Sequence, residues 1–280
     1  MTKTTKYVLA VLAVTVIALV GGYVGAGFRD SGSAAAASGG GSWMEAVKSR
    51  GELRVGVAIA PPMTVRQGDV LGGPNLIPLE HLAKALGVKL TPVSADWDNI
   101  VAGLQAGRYD AAANLDSTLA RAKAIQFSDP VYEYQGVFVV KADSAQKTAK
   151  QIIDSGQPVA VAQGTAPGAA VAEAGAKTLA LNDYTNTLQA VQAGRAVAAF
   201  ADLPTAESQV QTDTSYKIVV PEPSIYEAGA GYGLPNDIDA RSLQLINIGI
   251  ANARMSGELD RAYAKQHYVP IDQLGDLRKK

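Results

Sequence analysis

Asp98-Asn99-Ile100-Val101-Ala102-Gly103-Leu104-Gln105-Ala106-Gly107-Arg108-Tyr109-Asp110-Ala111-Ala112-Ala113 is one cycle of an alternation that runs through the chain. Asp98 can cap a helix carrying Ile100, Val101 and Leu104, Gly107 ends it, and Tyr109–Ala113 follows as a short apolar strand. Upstream, Leu53–Ala58 reads as a strand. Pro78 starts a helix through Leu79, Leu82, Ala83 and Leu86 that Gly87 stops, and Val88–Val93 is the next strand. Such strand–helix–strand alternation predicts a mostly parallel α/β sheet.

A second round begins near Val137. Val137–Lys141 and Pro158–Ala162 read as strands, and the turn Gln163-Gly164-Thr165-Ala166-Pro167-Gly168 opens an Ala-rich helix over Ala169–Ala176. Strands at Thr178–Leu181 and Ala196–Ala201 flank a helix over Thr187–Ala193. A glycine-rich strand at Gly229–Pro235 and helices over Ala240–Met255 and Glu258–Gln266 close the chain, a pattern that returns it to its first lobe. The length of 280 residues also exceeds the usual size of a single core, so two lobes are expected.

Composition narrows the classes of function. The chain is 48% hydrophobic and 18% charged with a net charge of −1, which gives no electrostatic case for nucleic acid. It has no Cys and only two His, His81 and His267, so disulfides and thiolate metal sites are excluded and no metal or other cofactor is expected.

After Lys3 and Lys6, the stretch Tyr7–Phe28 carries no charge and, at about 1.5 Å per helical residue, is long enough to cross a bilayer. Residues 1–30 therefore read as an uncleaved membrane anchor or as a signal peptide cleaved within Ala34–Ala37. Either implies export. Residues 31–42, rich in Ser, Gly and Ala, read as a flexible linker, and Trp43 opens the globular part.

Two places suit the capture of a small charged solute. Thr118 and Arg121 lie three residues apart before Gln126-Phe127-Ser128-Asp129-Pro130, and Arg presents paired donors that match a carboxylate. The Gly164 turn leaves free N–H groups at a helix start, an anion site by geometry. Asp202 sits at the carboxyl end of a strand, where ligands gather in open α/β sheets, or else caps the helix over Pro204–Gln209.

Ordered stretches over residues 43–270 resemble the bacterial extracellular solute-binding proteins for polar amino acids, the binding components of ABC importers. They are Gly51–Val57, Pro61-Pro62, Leu86-Gly87-Val88, Trp97 with Leu104–Asp110, and Thr118–Pro130, then Gln163-Gly164-Thr165, Ala201-Asp202, Gly231–Pro235 and Asn247–Gly257. The resemblance implies two α/β lobes with mainly parallel central sheets joined by two hinge strands, the periplasmic binding protein-like fold, with lobe 1 at 43–133 plus 229–280 and lobe 2 at 135–228. It implies that Arg121 clamps an α-carboxylate with help from Thr118 and the backbone at Asp116. It assigns N–H groups and a hydroxyl to Gly164, Thr165 and Ala166, the α-ammonium to Asp202, and a pocket wall to Trp97.

It further implies a monomeric, non-enzymatic protein at the periplasm or the outer face of the cytoplasmic membrane, held through the N-terminal helix if that helix is uncleaved. Its partners would be a small-molecule ligand, an amino acid, and an ABC-transporter permease.

The chain departs from the family pattern in three places. Ala60 occupies the usual aromatic platform, with Met63 in place of Phe. Asp116 stands where a small hydroxyl residue is usual, two residues after Asn114, facing either a cation or solvent. Residues 73–78 lack the acids common before the first helix. Together these hint at a basic or amine-bearing ligand. A cyclohexadienyl dehydratase-like enzyme on the same scaffold, with Glu133, Glu173 or Glu207 as general acid, and a membrane-tethered ligand sensor are the alternatives.

Overall fold

The computed structural model describes residues 42–266. The expected anchor or signal segment, the linker before Ser42 and the tail containing His267 lie outside these residues. Among the described residues, no helix is long and apolar enough to cross a membrane.

The chain opens with α1 (Trp43–Arg50), β1 (Glu52–Val57), a hairpin of β2 (Val65–Gln67) and β3 (Val70–Gly72), and a 3-10 turn (Pro74–Leu76). Next come α2 (Ile77–Leu86), β4 (Lys89–Ser94), α3 (Ile100–Gln105), β5 (Ala111–Asp116), α4 (Leu119–Ala122) and β6 (Gln126–Phe127). The middle comprises β7 (Tyr132–Lys141), α5 (Ala149–Asp154), β8 (Val159–Ala162), α6 (Ala166–Glu173), β9 (Thr178–Leu181), α7 (Tyr184–Gln192) and β10 (Ala198–Asp202). The last elements are α8 (Leu203–Thr212), β11 (Tyr216–Val219), β12 (Glu227–Leu234), α9 (Ala240–Met255) and α10 (Glu258–Ala264).

Local chemistry sets the boundaries. Ser42, the last linker residue by sequence, begins the ordered fold: its hydroxyl accepts from the Glu45 N–H while the Glu45 carboxylate accepts from the Ser42 N–H, a capping box that starts α1. Gly87 ends α2 in the left-handed region at φ 70°, which a side chain would disfavour.

Two expectations are corrected. Asp98 does not cap α3: the cap position is Asn99, with no side-chain bond, and the Asp98 carboxylate instead accepts from Gln163 Nε2 at 3.3 Å. The strand after Gly107 starts at Ala111 rather than Tyr109. Tyr109 turns inward, its hydroxyl donating to the Ile100 carbonyl, and Asp110 turns its carboxylate to Arg54 and Arg50 at 2.8 and 2.7 Å.

The sheet runs β4-β1-β5-β12-β7-β10-β8-β9, with β6 added on β12 and β11 on β7. β1 is parallel to β4 and β5, and β8 is parallel to β9 and β10. Between these half-sheets lie two antiparallel strands, β12 and β7, paired from Glu227↔Gln135 to Ala230↔Tyr132. They are the only strands bonded to each other across the two halves among the described residues.

Strand alternation places Ala111 and Ala113 on one face and Ala112 on the other, an irregularity in the pairing with β12 then turns Leu115 onto the face of Ala112, and each face buries its own cluster. Met63 is wholly buried on the first of these faces. On the second, Ala58, Ala60 and Trp97 of the first half pack with Ala162, Tyr184 and Ala201 of the second, so the two halves meet through a buried, largely apolar seam.

Candidate ligand-binding site

The carboxyl ends of β5, β8 and β10 and the first part of β7 converge on one cavity between the half-sheets. It is lined by Trp97, Asn114, Asp116, Arg121, Tyr132, Tyr134, Thr165, Tyr184 and Asp202. Six of the nine residues singled out from sequence line it. The other three, Thr118, Gly164 and Ala166, shape it without lining it.

Thr118 is the N-cap of α4, and its hydroxyl accepts from the Arg121 N–H at 3.2 Å. This fixes the backbone that carries the guanidinium. Arg121 Nη1 donates to the Asp116 carbonyl and Nη2 to the Gly164 carbonyl, both at 3.1 Å. A guanidinium has five N–H donors, so three remain for other acceptors. Thr165 caps α6: its hydroxyl donates to the Ala162 carbonyl at 2.7 Å and accepts from Gly168 N–H at 3.3 Å. Its capacity to donate to a ligand is thereby spent. Ala166 is the first residue of α6; Pro167 has no N–H and the Gly168 N–H is taken by Thr165, which leaves the Ala166 N–H as the donor at this helix's amino end.

Asp116 faces inward, 7% exposed, and its Oδ2 accepts from the Tyr134 hydroxyl at 2.9 Å. Burial lifts this carboxyl to about 6; Arg121 and Tyr134 oppose the shift, and the Asp202 charge adds to it. Asp202, 5% exposed, both caps a helix and lines the cavity. Its Oδ1 accepts from Thr205 N–H at 2.9 Å and caps α8, while the residue lines the cavity. Burial raises it as well, opposed by hydrogen bonds from Thr205 and Tyr184. The Trp97 Nε1–H is buried with no acceptor in the protein. Around one cavity the chain therefore sets one cation and two carboxylates, with Arg121 and Asp116 from the first half and Asp202 from the second.

The tyrosines on and beside β7 and β12 divide between cavity and core. Tyr132 and Tyr134 line the cavity, whereas Tyr232 is fully buried in the core with its hydroxyl on the Asn75 carbonyl at 2.7 Å. Tyr226 lies beside Tyr134, ring centroids 6.0 Å apart. Tyr184 was missed. Its signal was its place in the first turn of a helix, just after a strand's carboxyl end. Glu133, Glu173 and Glu207 do not line the cavity. Among the described residues no group of three or more His, Asp or Glu side chains is placed to hold a metal ion.

The chain belongs to the bacterial extracellular solute-binding proteins, family 3, whose pattern it matches over residues 53–267. It is 30% identical over 193 residues to the L-cystine-binding protein TcyA of Bacillus subtilis, an alignment covering 68% of this chain and 70% of that one. Among solved structures it resembles the arginine-bound form of a truncated ArgBP from T. maritima, with TM-score 0.68 and 26% identity over 74% of this chain and 99% of that one. It also resembles the ancestral amino acid-binding protein AncCDT-1, a precursor of cyclohexadienyl dehydratase. There the TM-score is 0.72 and the identity 27%, over 80% of this chain and 99% of that one.

Proposed function

We propose that this protein is the substrate-binding component of an ABC importer, that its ligand is an amino acid carrying an additional positive charge, and that the ligand is held between two closing lobes. One observation carries the reading: Arg121 from one half-sheet and the paired carboxylates Asp116 and Asp202 line the same buried cavity. The ligand carboxylate takes the free donors of Arg121, and the ligand ammonium takes the uncapped oxygen of Asp202. Asp116 is then a buried carboxylate without a full partner, an arrangement that costs several kcal/mol unless it meets a second cation or takes up a proton. A side-chain amine or guanidine supplies that cation. The likeness to an arginine-bound structure supports this class of ligand.

In this reading lobe 1 is 43–133 plus 229–280, lobe 2 is 135–228, and β7 and β12 are the hinge. Ligand is bridged by groups from both lobes, so it stabilises the closed form over the open one. The protein acts as a monomer outside the cytoplasmic membrane, tethered by residues 1–42 or released by cleavage, and delivers its ligand to a permease. Calorimetry of the purified protein against L-arginine, L-lysine, L-ornithine, L-cystine, L-glutamine and L-glutamate tests the reading. Tighter binding of the cationic members than of L-glutamine is expected; preference for L-glutamate, or binding of none, overturns it.

A dehydratase reading has one observation in its favour, a buried carboxyl at Asp116 that holds a proton near pH 6 and so has the makings of a general acid. Turnover of arogenate or prephenate by the purified protein decides it.

A further inference from the structure

Asn114 is the one residue other than glycine with a positive φ, 58°, among the described residues. It lies in a β-bulge. β5 pairs Leu115↔Gly231 and Ala112↔Gly233, so Ala113 and Asn114 together oppose the single residue Tyr232. Bulges re-aim a side chain, and Asn tolerates the left-handed region better than most residues.

Its re-aimed side chain is gripped by one end. Asn114 Oδ1 accepts from Asn75 Nδ2 at 2.6 Å and from the Tyr132 hydroxyl at 2.7 Å. Asn75, wholly buried at the centre of the 3-10 turn, is itself fixed at every polar group. Its N–H donates to the Met63 carbonyl at 3.3 Å, its carbonyl accepts from Tyr232, and its Oδ1 faces the Tyr263 hydroxyl at 3.4 Å. A carboxamide has one acceptor end and one donor end, so committing Oδ1 leaves Asn114 its two Nδ2 donors.

We propose that Asn75, which does not line the cavity, is a positioning residue that makes Asn114 a hydrogen-bond donor to the ligand, so that this wall selects a ligand acceptor. The proposal rests on the ligand reading above for its ligand but not for its geometry. Asn75 acts only through Asn114, which gives it a distinctive thermodynamic mark. Asn75→Ala is expected to weaken L-arginine binding about tenfold or more in the natural background, and less than about twofold when Asn114 is already Ala. Equal losses in both backgrounds overturn the proposal, since a purely structural role loosens the protein regardless of Asn114.

A measurement without ligand stands beside it. In isotope-labelled protein, a scalar coupling across the hydrogen bond from Asn75 Nδ2 to the Asn114 side-chain carbonyl carbon is expected. Coupling in the opposite sense, from Asn114 Nδ2 to the Asn75 side-chain carbonyl carbon, overturns the proposal even if the variants fail to fold. If the natural protein binds none of the amino acids tested, the ligand reading falls while this coupling still decides the role of Asn75.

Discussion

Arg121 and Gly164 touch across the cleft, the guanidinium Nη2 donating to the glycine carbonyl at 3.1 Å. The group poised for a ligand anion thus also ties the two half-sheets. Beside it Gly164 has φ 75°, and a Cβ there would sit 2.5 Å from both Cα and N of Asp98.

Gly164→Ala therefore meets backbone, which cannot swing aside as a side chain does. The left-handed φ alone costs about 1–2 kcal/mol, and the clash opposes closure on top of that. A fall in L-arginine affinity of about tenfold or more is expected, since each 1.4 kcal/mol is tenfold. The melting temperature should drop by only about 2–8 °C at that cost. Calorimetry and thermal melts separate the two effects.

The double duty of Asp202 can be split. Asn caps helices about as well as Asp and removes a charge that burial disfavours, so Asp202→Asn should keep or raise the melting temperature while losing most of the affinity. Asp202→Ala should lose affinity and also about 1 kcal/mol of stability from the uncapped Thr205 N–H. Equal melting temperatures for the two variants would contradict the capping role.

Asp116 gives a pH dependence whose sign follows from burial. Its pKa rises from 3.8 to about 6 on folding, so the folded state holds the proton more tightly than the unfolded chain does. This group's contribution is most favourable below pH 3.8 and is lost as pH rises through about 6, a change of about 3 kcal/mol at 1.36 kcal/mol per unit. Urea denaturation from pH 4 to 7.5 should show Asp116→Asn gaining on the natural protein as pH rises, with a residual slope from Asp202. For a cationic ligand the affinity should fall below pH 6, where Asp116 becomes neutral.

Asp110 is a stability anchor outside the cavity. Its carboxylate accepts from the Arg54 N–H at 2.9 Å and pairs with Arg54 and Arg50. Asp110→Ala strands a part-buried guanidinium and a backbone donor, and a loss of about 2–4 kcal/mol is expected. Equilibrium denaturation reads it, and ligand affinity measured below the transition should be unchanged.

Much of the α/β order was legible because apolar runs and Gly or Pro stops coincide, as at Pro78 and Gly87. Errors fell where a side chain had two possible partners. Asp98 had the spacing of a cap, yet its carboxylate serves a Gln163 that is distant in sequence and close only once the halves meet. Tyr132-Glu133-Tyr134-Gln135 gave no clean apolar alternation, because here β7 leaves one core and faces the cavity, so its start went unread. Arg121 and Asp202 were found through residue type at ordered spacing. Asn75 and Tyr184 were not, since a buried amide and a ring at a helix start look like packing until their neighbours are known.

The pairing of β12 beside β5 has a consequence for how the molecule assembles. Strands β7 through β11 are continuous in the chain, so the second half-sheet can form as soon as residues 132–219 are available. β5 must wait for a neighbour that arrives more than a hundred residues later, and α9 and α10 later still. Long-range pairing of this kind is slow. On this topology the second half-sheet needs nothing beyond residue 219, whereas the first cannot be completed, nor the cavity walled from both sides, until β12 has been made.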